Sequence, residues 1–157
     1  MPHSTFLFGN NTEALKFAEE MRWEEKDVSK IAVQLAKLPV CHNRKRIVVI
    51  TQGPAQTILA TNNGLTLFDP LPIRQHLVTD TTGAGDAFCG GFISHLLQNP
   101  RGATGEFSDT CLHDAIEKGH WAAREIIQRY GCSFPARCHF ESWKKGIPES
   151  EYPRANA

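Results

Sequence analysis

The chain has 157 residues, 41% of them hydrophobic, and its 17 basic and 17 acidic residues give a formal net charge of zero. This length suits one domain or part of one, and the balanced charge gives no reason to expect a nucleic-acid or anionic-membrane partner. No apolar run approaches the length needed to cross a bilayer, and residues 1–6 lack the basic and long apolar regions of a signal peptide.

The first third of the chain predicts a strand followed by two helices. Residues 5–8 form a short apolar run, typical of a buried strand. A helix pattern follows, in which four apolar residues share one face: Ala14, Phe17, Ala18 and Met21. Asp27 is placed to cap a second helix, which Pro39 ends. The apolar side of this second helix is formed by Val28, Ile31, Leu35 and Leu38.

The middle of the chain predicts strands. Residues 47–50 are a continuous β-branched run, so we expect a central strand covered on both faces. Residues 56–60 and 65–68 flank Asn62-Asn63-Gly64, which predicts a β-hairpin. Residues 69–78 contain two prolines and predict an irregular segment.

The last part of the chain predicts two helices. The first covers residues 87–97, and the polar, glycine-rich residues 98–108 then predict a loop. Apolar residues from Leu112 to Tyr130 indicate a long helix that Gly131 closes at the position called C′. We expect the last dozen residues to be poorly ordered. Alternating strands and helices indicate an α/β layer structure with a mainly parallel sheet, in which ligands bind beyond the carboxyl ends of the strands.

The cysteines indicate reduced thiols and a cytoplasmic setting. The five cysteines include no C-x-x-C pair, and their odd number argues against a closed disulfide framework. Cys and His residues come close in the sequence only as isolated pairs, such as Cys138 beside His139, which argues against a zinc site.

The most informative segment is Asp80-Thr81-Thr82-Gly83-Ala84-Gly85-Asp86, at a turn that opens a helix. Its glycines let the backbone approach a ligand closely, and free N–H groups at a helix start attract phosphate. Asp86 would stand beside a bound anion and take a proton from an attacking hydroxyl. An anion cradle with a base is the minimal equipment for phosphoryl transfer. The alternative is an ordinary turn with an aspartate that favours the helix dipole.

The whole string resembles the C-terminal signature of the ribokinase-like (PfkB) small-molecule kinases. The resemblance implies that Asp86 is the catalytic base. It also implies that the backbone of Gly83, Ala84 and Gly85 forms an anion hole for the transferred phosphoryl group.

Four segments resemble eukaryotic adenosine kinases within that family. They are residues 7–14 with an N-x-x-E motif, residues 49–61, the signature continued through Phe92, and residues 119–135. The resemblance reaches Phe140 and implies a ribokinase-like three-layer fold with a mainly parallel sheet and a β-hairpin. It also implies transfer of phosphate from ATP to the 5′-hydroxyl of adenosine, with Mg2+, in purine salvage.

The resemblance assigns further roles on the ATP side of the site. Asn10 orients phosphates and Glu13 holds magnesium through water, although the same pair alone indicates a capping box. Thr51 and Gly53 line the nucleotide site, where without the resemblance they indicate an ordinary turn. The two readings of Asn10 and Glu13 are compatible, because a cap would place Glu13 on the rim.

Two residues have roles for which the alternatives stay open. The resemblance places His120 beside the adenine of ATP, whereas a histidine within a helix is more often packed or solvated. Asp80, with backbone carbonyls near Gly131, is assigned a monovalent cation such as K+. The alternative is that Asp80 braces its own turn by an Asx bond.

The chain also departs from the family pattern. By the resemblance, family members begin with a lid and sugar-binding half, to which we expect no counterpart in these 157 residues. Thr82 stands where adenosine kinases commonly carry Asn, and the loop of residues 98–108 is longer than usual. We therefore expect an ATP-side C-terminal part in residues 1–140 with a flexible tail in residues 141–157, weak or inactive alone. The alternatives are another PfkB-type sugar kinase, or a non-catalytic fragment that binds a nucleotide or a partner through an exposed seam. We expect a cytoplasmic and also a nuclear location.

Overall fold

The computed structural model describes residues 3–99 and 106–134 together with Phe140 and Lys144. The principal elements, in chain order, are β1 (Phe6–Asn10), α1 (Asn11–Glu20), α2 (Val28–Lys37), β2 (Ile47–Gln52), β3 (Ala55–Thr61), β4 (Gly64–Phe68), α3 (Ala84–Gln98) and α4 (Asp109–Ile127). The chain forms two compact units, residues 1–70 and residues 71–157. The first unit contains the sheet and two helices, and the second contains α3 and α4.

The sheet has four strands in the order β1-β2-β3-β4. Strands β1 and β2 are parallel, whereas the β2–β3 and β3–β4 pairs are antiparallel. The expected hairpin at Asn62-Asn63-Gly64 is confirmed. The described sheet is mixed rather than mainly parallel, because only Gly53 and Pro54 separate β2 from β3. So short a connection can join only antiparallel neighbours.

Strand β2 is central, as its apolar run predicts. All four residues from Ile47 to Ile50 are buried, so both faces of the strand are covered. Val48 and Ile50 lie in a hydrophobic cluster with residues of both helices, namely Ala14, Ala18, Ile31, Ala32, Leu35 and Ala36. Full burial of a valine, leucine or isoleucine side chain contributes about 1.5–3 kcal/mol to the free energy of unfolding. This cluster therefore holds the two helices on the sheet.

Side-chain caps fix the starts of both helices in the first unit. The Asp27 carboxylate accepts the Ser29 N–H at 2.8 Å, which confirms the predicted cap of α2. The prediction that Met21 shares the buried face of α1 is wrong. Helix α1 ends at Glu20, and Met21 is its C-cap with 45% of its surface exposed.

Arg46 is a buried cation that the sequence pattern does not reveal. The residue is 1% exposed, and its guanidinium donates to the Leu35 and Leu38 carbonyls at 3.2 and 3.0 Å. It also donates to the Ser4 carbonyl at 3.2 Å. Arg46 thereby satisfies carbonyls at the C-terminal end of α2 and ties that end to the residue two before β1.

The second unit is held together by close packing of α3 on α4. A Cβ atom on Gly91 would lie 2.6 Å from the Lys118 carbonyl oxygen, and one on Gly119 would lie 2.9 Å from the Phe88 ring. The helices approach so closely because both contact positions lack a side chain. A cluster of Ala87, Trp121, Ala122, Ile126 and Phe140 lies in the same unit.

The predicted end of the last helix is wrong. Helix α4 ends at Ile127 with Gln128 as its C-cap, so Gly131 lies beyond the C′ position although its φ is 66°. Tyr130, expected on the apolar face, is 85% exposed. The Ile127 carbonyl instead accepts the Thr79 N–H at 2.8 Å. Residues 100–105 of the predicted loop lie outside the described residues, and so does the predicted tail of residues 141–157 apart from Lys144.

Among the described residues, no helix is both long and apolar enough to cross a membrane.

Candidate functional site

The first turn of α3 is open, unlike those of the other main helices. Side chains cap α1, α2 and α4, whereas the N-cap of α3 is Gly83 and provides none. The Ala84 N–H donates to the Thr81 carbonyl at 3.2 Å, and the Ala87 N–H to the Gly83 carbonyl at 2.9 Å. The N–H groups of Gly85 and Asp86 are left without an acceptor among the described residues. Such N–H groups, at the positive end of a helix dipole, favour an anion.

Asp86 lies in this first turn with its side chain uncommitted. The residue is exposed, and within the described part of the chain its carboxylate makes no hydrogen bond or ion pair. Glu13 in the first turn of α1 behaves differently, because its carboxylate accepts the N–H of its own N-cap at 2.8 Å. Asp86 thus retains its oxygens for an external proton donor, as a general base requires.

Gly83 is required at its position for two reasons. Its φ of 78° lies in the left-handed region, where an L-residue with a side chain costs about 1–2 kcal/mol. In addition, a Cβ atom here would lie 2.5 Å from the Cys132 sulfur. The contact of Cys132 with this turn was missed by sequence reasoning, because no local spacing relates two residues so far apart in the chain.

Asp80 is held by hydrogen bonds on both carboxylate oxygens. Oδ1 accepts the Thr82 N–H at 2.9 Å, and Oδ2 accepts the Gly131 N–H at 3.1 Å. These donors, Thr82 first, lower the pKa of Asp80 because they stabilise its charged form. The bond to Thr82 is the Asx bond of the alternative interpretation. A carboxylate oxygen has room for more than one donor or ligand, so these bonds do not exclude a cation, whose binding here stays a prediction.

The predicted site residues of the first unit lie at or just beyond the carboxyl ends of its two parallel strands. Asn10 and Thr51 are register partners at the carboxyl ends of parallel β1 and β2, and Gly53 turns just beyond β2 with a φ of 59°. The Asn10 side chain accepts the Glu13 N–H at 2.9 Å and completes a capping box. The capping-box interpretation is therefore confirmed. Glu13 is exposed and offers the oxygen ligand type that Mg2+ prefers, but its metal role stays a prediction.

His120 is a packed residue of α4. It is 8% exposed, and its ring centroid lies 5.4 Å from that of Phe88. Burial lowers the pKa of His120 to about 4, so the ring is neutral at neutral pH. This geometry favours the packed alternative, and the contact with adenine stays a prediction.

Comparison with known proteins identifies the family. The sequence profile described as "pfkB family carbohydrate kinase" matches residues 1–137. Adenosine kinase 2 of Arabidopsis thaliana is 34% identical over 141 residues, which are 89% of this chain. The crystal structure of Anopheles gambiae adenosine kinase in complex with P1,P4-di(adenosine-5) tetraphosphate matches 85% of the chain with a TM-score of 0.71 and 38% identity. Ribokinase from Thermotoga maritima matches 90% with a TM-score of 0.68 and 25% identity.

The matches cover a minor part of each relative. The chain spans 38% of the Arabidopsis enzyme, 38% of the Anopheles chain and 42% of the Thermotoga chain. The fold is therefore that of the corresponding part of a ribokinase-like kinase, and the family is one of ATP-dependent phosphotransferases. With its signature at the open start of α3 and a profile match over residues 1–137, the chain belongs to the pfkB family of carbohydrate kinases.

Proposed function

We propose that this chain is the ATP-side part of an adenosine kinase, which transfers the γ-phosphoryl group of ATP to the 5′-hydroxyl of adenosine and yields ADP and AMP. The observation that carries the proposal is the uncapped start of α3 with the uncommitted Asp86 beside it. The nucleoside is favoured over a sugar by identity, since the adenosine kinases are 34% and 38% identical and the ribokinase is 25% identical.

The start of α3 would act as an anion hole built from Gly83, Ala84 and Gly85. The Gly85 N–H is ready to donate, whereas the Ala84 N–H must share its 3.2 Å bond to the Thr81 carbonyl. Negative charge on the phosphoryl oxygens would be met by donors already in place. In comparable sites one such donor is worth about 3 kcal/mol of barrier.

Asp86 would act as the general base. Its carboxylate takes the proton of the 5′-hydroxyl while the hydroxyl oxygen attacks the γ-phosphorus and the bond to the β-phosphate oxygen breaks. The exposure of Asp86 supports this role, because within the described ranges no donor competes for its oxygens.

The first unit would hold the nucleotide and its metal. Asn10 orients phosphates and Glu13 holds Mg2+ through water, in keeping with the oxygen ligands that Mg2+ prefers. Mg2+ when bound neutralises charge on the phosphates. Thr51 and Gly53 line the nucleotide site. Asp80 would take K+ as an additional cation.

The remaining assignments are also proposals. His120 would approach adenine, although its burial argues for packing. The chain alone would be weak or inactive, because it lacks counterparts to most of the length of its relatives. Association through an exposed edge of the sheet, and cytoplasmic and nuclear locations, stay predictions. The alternative to adenosine is a sugar acceptor of the same family.

The test is calorimetric titration of the folded chain with Mg2+ and a non-hydrolysable ATP analogue. Nothing lies within 4 Å of a Cβ atom placed on Gly85 or on Gly90, so Gly85→Val fills only the space over the open N–H groups and Gly90→Val is its matched control. We expect the wild type, Asp86→Asn and Gly90→Val to bind, and Gly85→Val to lose at least about tenfold in affinity, since a hydrogen bond to a charged group contributes about 1.5–3 kcal/mol.

Two results would contradict the proposal. One is a folded wild-type chain, shown by circular dichroism, that does not bind the analogue. The other is equal binding by Gly85→Val and Gly90→Val.

A further inference from the structure

The turn before α3 is joined to the segment that follows α4 by several hydrogen bonds. The Ile127 carbonyl accepts the Thr79 N–H at 2.8 Å and the Asp80 N–H at 3.3 Å. The Gly131 N–H donates to Asp80 Oδ2 at 3.1 Å. The two segments lie far apart in the chain, so these bonds are tertiary contacts and not part of either helix.

The Asp80 carboxylate is the part of this junction that reaches the anion-hole turn. The other oxygen of Asp80, Oδ1, accepts the N–H of Thr82 at 2.9 Å. Thr82 is the residue immediately before Gly83. The Cys132 sulfur lies 3.8 Å from the Thr82 carbonyl oxygen and closely faces Gly83. One side chain therefore connects the two segments, and Cys132 makes a second contact between them.

We propose that Asp80 is a positioning residue whose carboxylate sets the placement of the turn at residues 82–85 against the segment at residues 127–132. The inference rests on the proposed function, because it is the anion hole that is being placed. Donors stabilise developing charge only when they are preorganised. Loss of the carboxylate frees the turn to move, while the freed N–H groups of Thr82 and Gly131 are exposed enough to bond to water. The effect falls on anion binding more than on global stability.

Two substitutions separate the two bonds of Asp80. Asp80→Asn keeps one acceptor oxygen, whereas Asp80→Ala removes both. Asp109→Asn removes the same charge from an exposed residue of the second unit and is the matched control. In the nucleotide-free protein we expect hydrogen exchange of the Thr82 and Gly131 amides to accelerate by about tenfold or more in Asp80→Ala. We expect Asp80→Asn to accelerate hydrogen exchange at one of these two amides, and Asp109→Asn to accelerate it at neither.

Nucleotide affinities provide the second readout. The anion hole contacts the terminal phosphoryl group, so the Asp80 variants weaken binding of the ATP analogue. ADP binding stays within about twofold, well below the roughly tenfold effect of one hydrogen bond to a charged group. Loss of both affinities together would indicate general loosening and would overturn the proposal. The titrations are repeated in potassium and in tetramethylammonium buffer. An effect of Asp80→Ala seen only in potassium would mean that the carboxylate acts through the bound cation of the proposed function and not through its own hydrogen bonds, and it would also overturn the positioning role.

The exchange measurement keeps the inference separate from the proposed function. A wild-type chain that binds no nucleotide contradicts the proposed function, while amide exchange in the free protein still decides whether Asp80 holds the turn. Unchanged exchange at Thr82 and Gly131 in Asp80→Ala overturns the positioning role, whatever the nucleotide does.

Discussion

Neighbouring glycines in α3 should respond to alanine in opposite directions. Gly90 is exposed, and a Cβ atom placed on it meets nothing within 4 Å. A Cβ atom on Gly91 would lie 2.6 Å from the Lys118 carbonyl oxygen and 2.9 Å from the Ala122 Cβ. The same substitution therefore acts on one helix at two adjacent positions that differ in their surroundings.

The expected magnitudes follow from these surroundings. Alanine is favoured over glycine within a helix by about 0.5–1 kcal/mol, so Gly90→Ala raises the free energy of unfolding by that amount. Gly91→Ala has the same helix gain, but its methyl group must push α3 and α4 apart. Overpacking against a fixed backbone costs about 1–3 kcal/mol, so after the helix gain is subtracted we expect a net destabilisation of up to about 2.5 kcal/mol.

The assay is urea unfolding followed by circular dichroism and tryptophan fluorescence. We expect the midpoint to rise for Gly90→Ala and to fall for Gly91→Ala. The midpoint should also fall for Gly119→Ala, because its Cβ atom would lie 2.9 Å from the Phe88 ring. An increase for Gly91→Ala equal to that of Gly90→Ala would refute the close approach of the two helices.

Three further changes test other parts of the structure. Gly83→Ala should cost about 1–2 kcal/mol for its backbone conformation and about 1 kcal/mol or more for its contact with Cys132. Only the cost of the contact should vanish in a Cys132→Ala background. A double-mutant cycle by urea unfolding that finds no coupling energy between positions 83 and 132 would contradict the contact. Asp27→Ala should lower the free energy of unfolding by about 1 kcal/mol and Asp27→Ser should restore most of it; equal stability of all three proteins would deny the cap a role. Burial lowers the pKa of His120 from 6.5 to about 4, so the unfolded state takes up the proton first as pH falls. The free energy of unfolding should therefore drop by about 3 kcal/mol between pH 6.5 and 4. If the stability of His120→Leu varied with pH as that of the wild type does, His120 would be excluded as the cause.

Local signals in the sequence predicted the elements that local interactions specify. The Asp27 cap needs only the N–H groups of the next few residues, and the Asn62-Asn63-Gly64 hairpin needs only its own turn. The β-branched run of β2 predicted burial on both faces, although it contains no information about the direction of its neighbours. The mixed sheet therefore had to come from the structure.

Contacts between distant segments were not predictable. The end of α4 depends on the bonds that the Ile127 carbonyl makes with the turn before α3, and an apolar period that continues to Tyr130 cannot report them. The Arg46 guanidinium binds carbonyls at the end of α2, but a single arginine before a strand has no pattern of its own. At the site, the signature pointed to Asp86 and the glycines, whereas Cys132 and the bond from Gly131 to Asp80 depend on the tertiary fold.

In the proposed function, the open first turn of α3 receives the phosphoryl groups of ATP. The most direct measurement is an NMR titration of the 15N-labelled chain with Mg2+ and a non-hydrolysable ATP analogue, following each backbone amide. We expect saturable shifts at Gly85 and Asp86, whose N–H groups lack an acceptor among the described residues, with Gly90 unaffected as the control on the same helix. Binding that leaves Gly85 and Asp86 unshifted, or a folded chain whose amides do not respond at all, would contradict the claim.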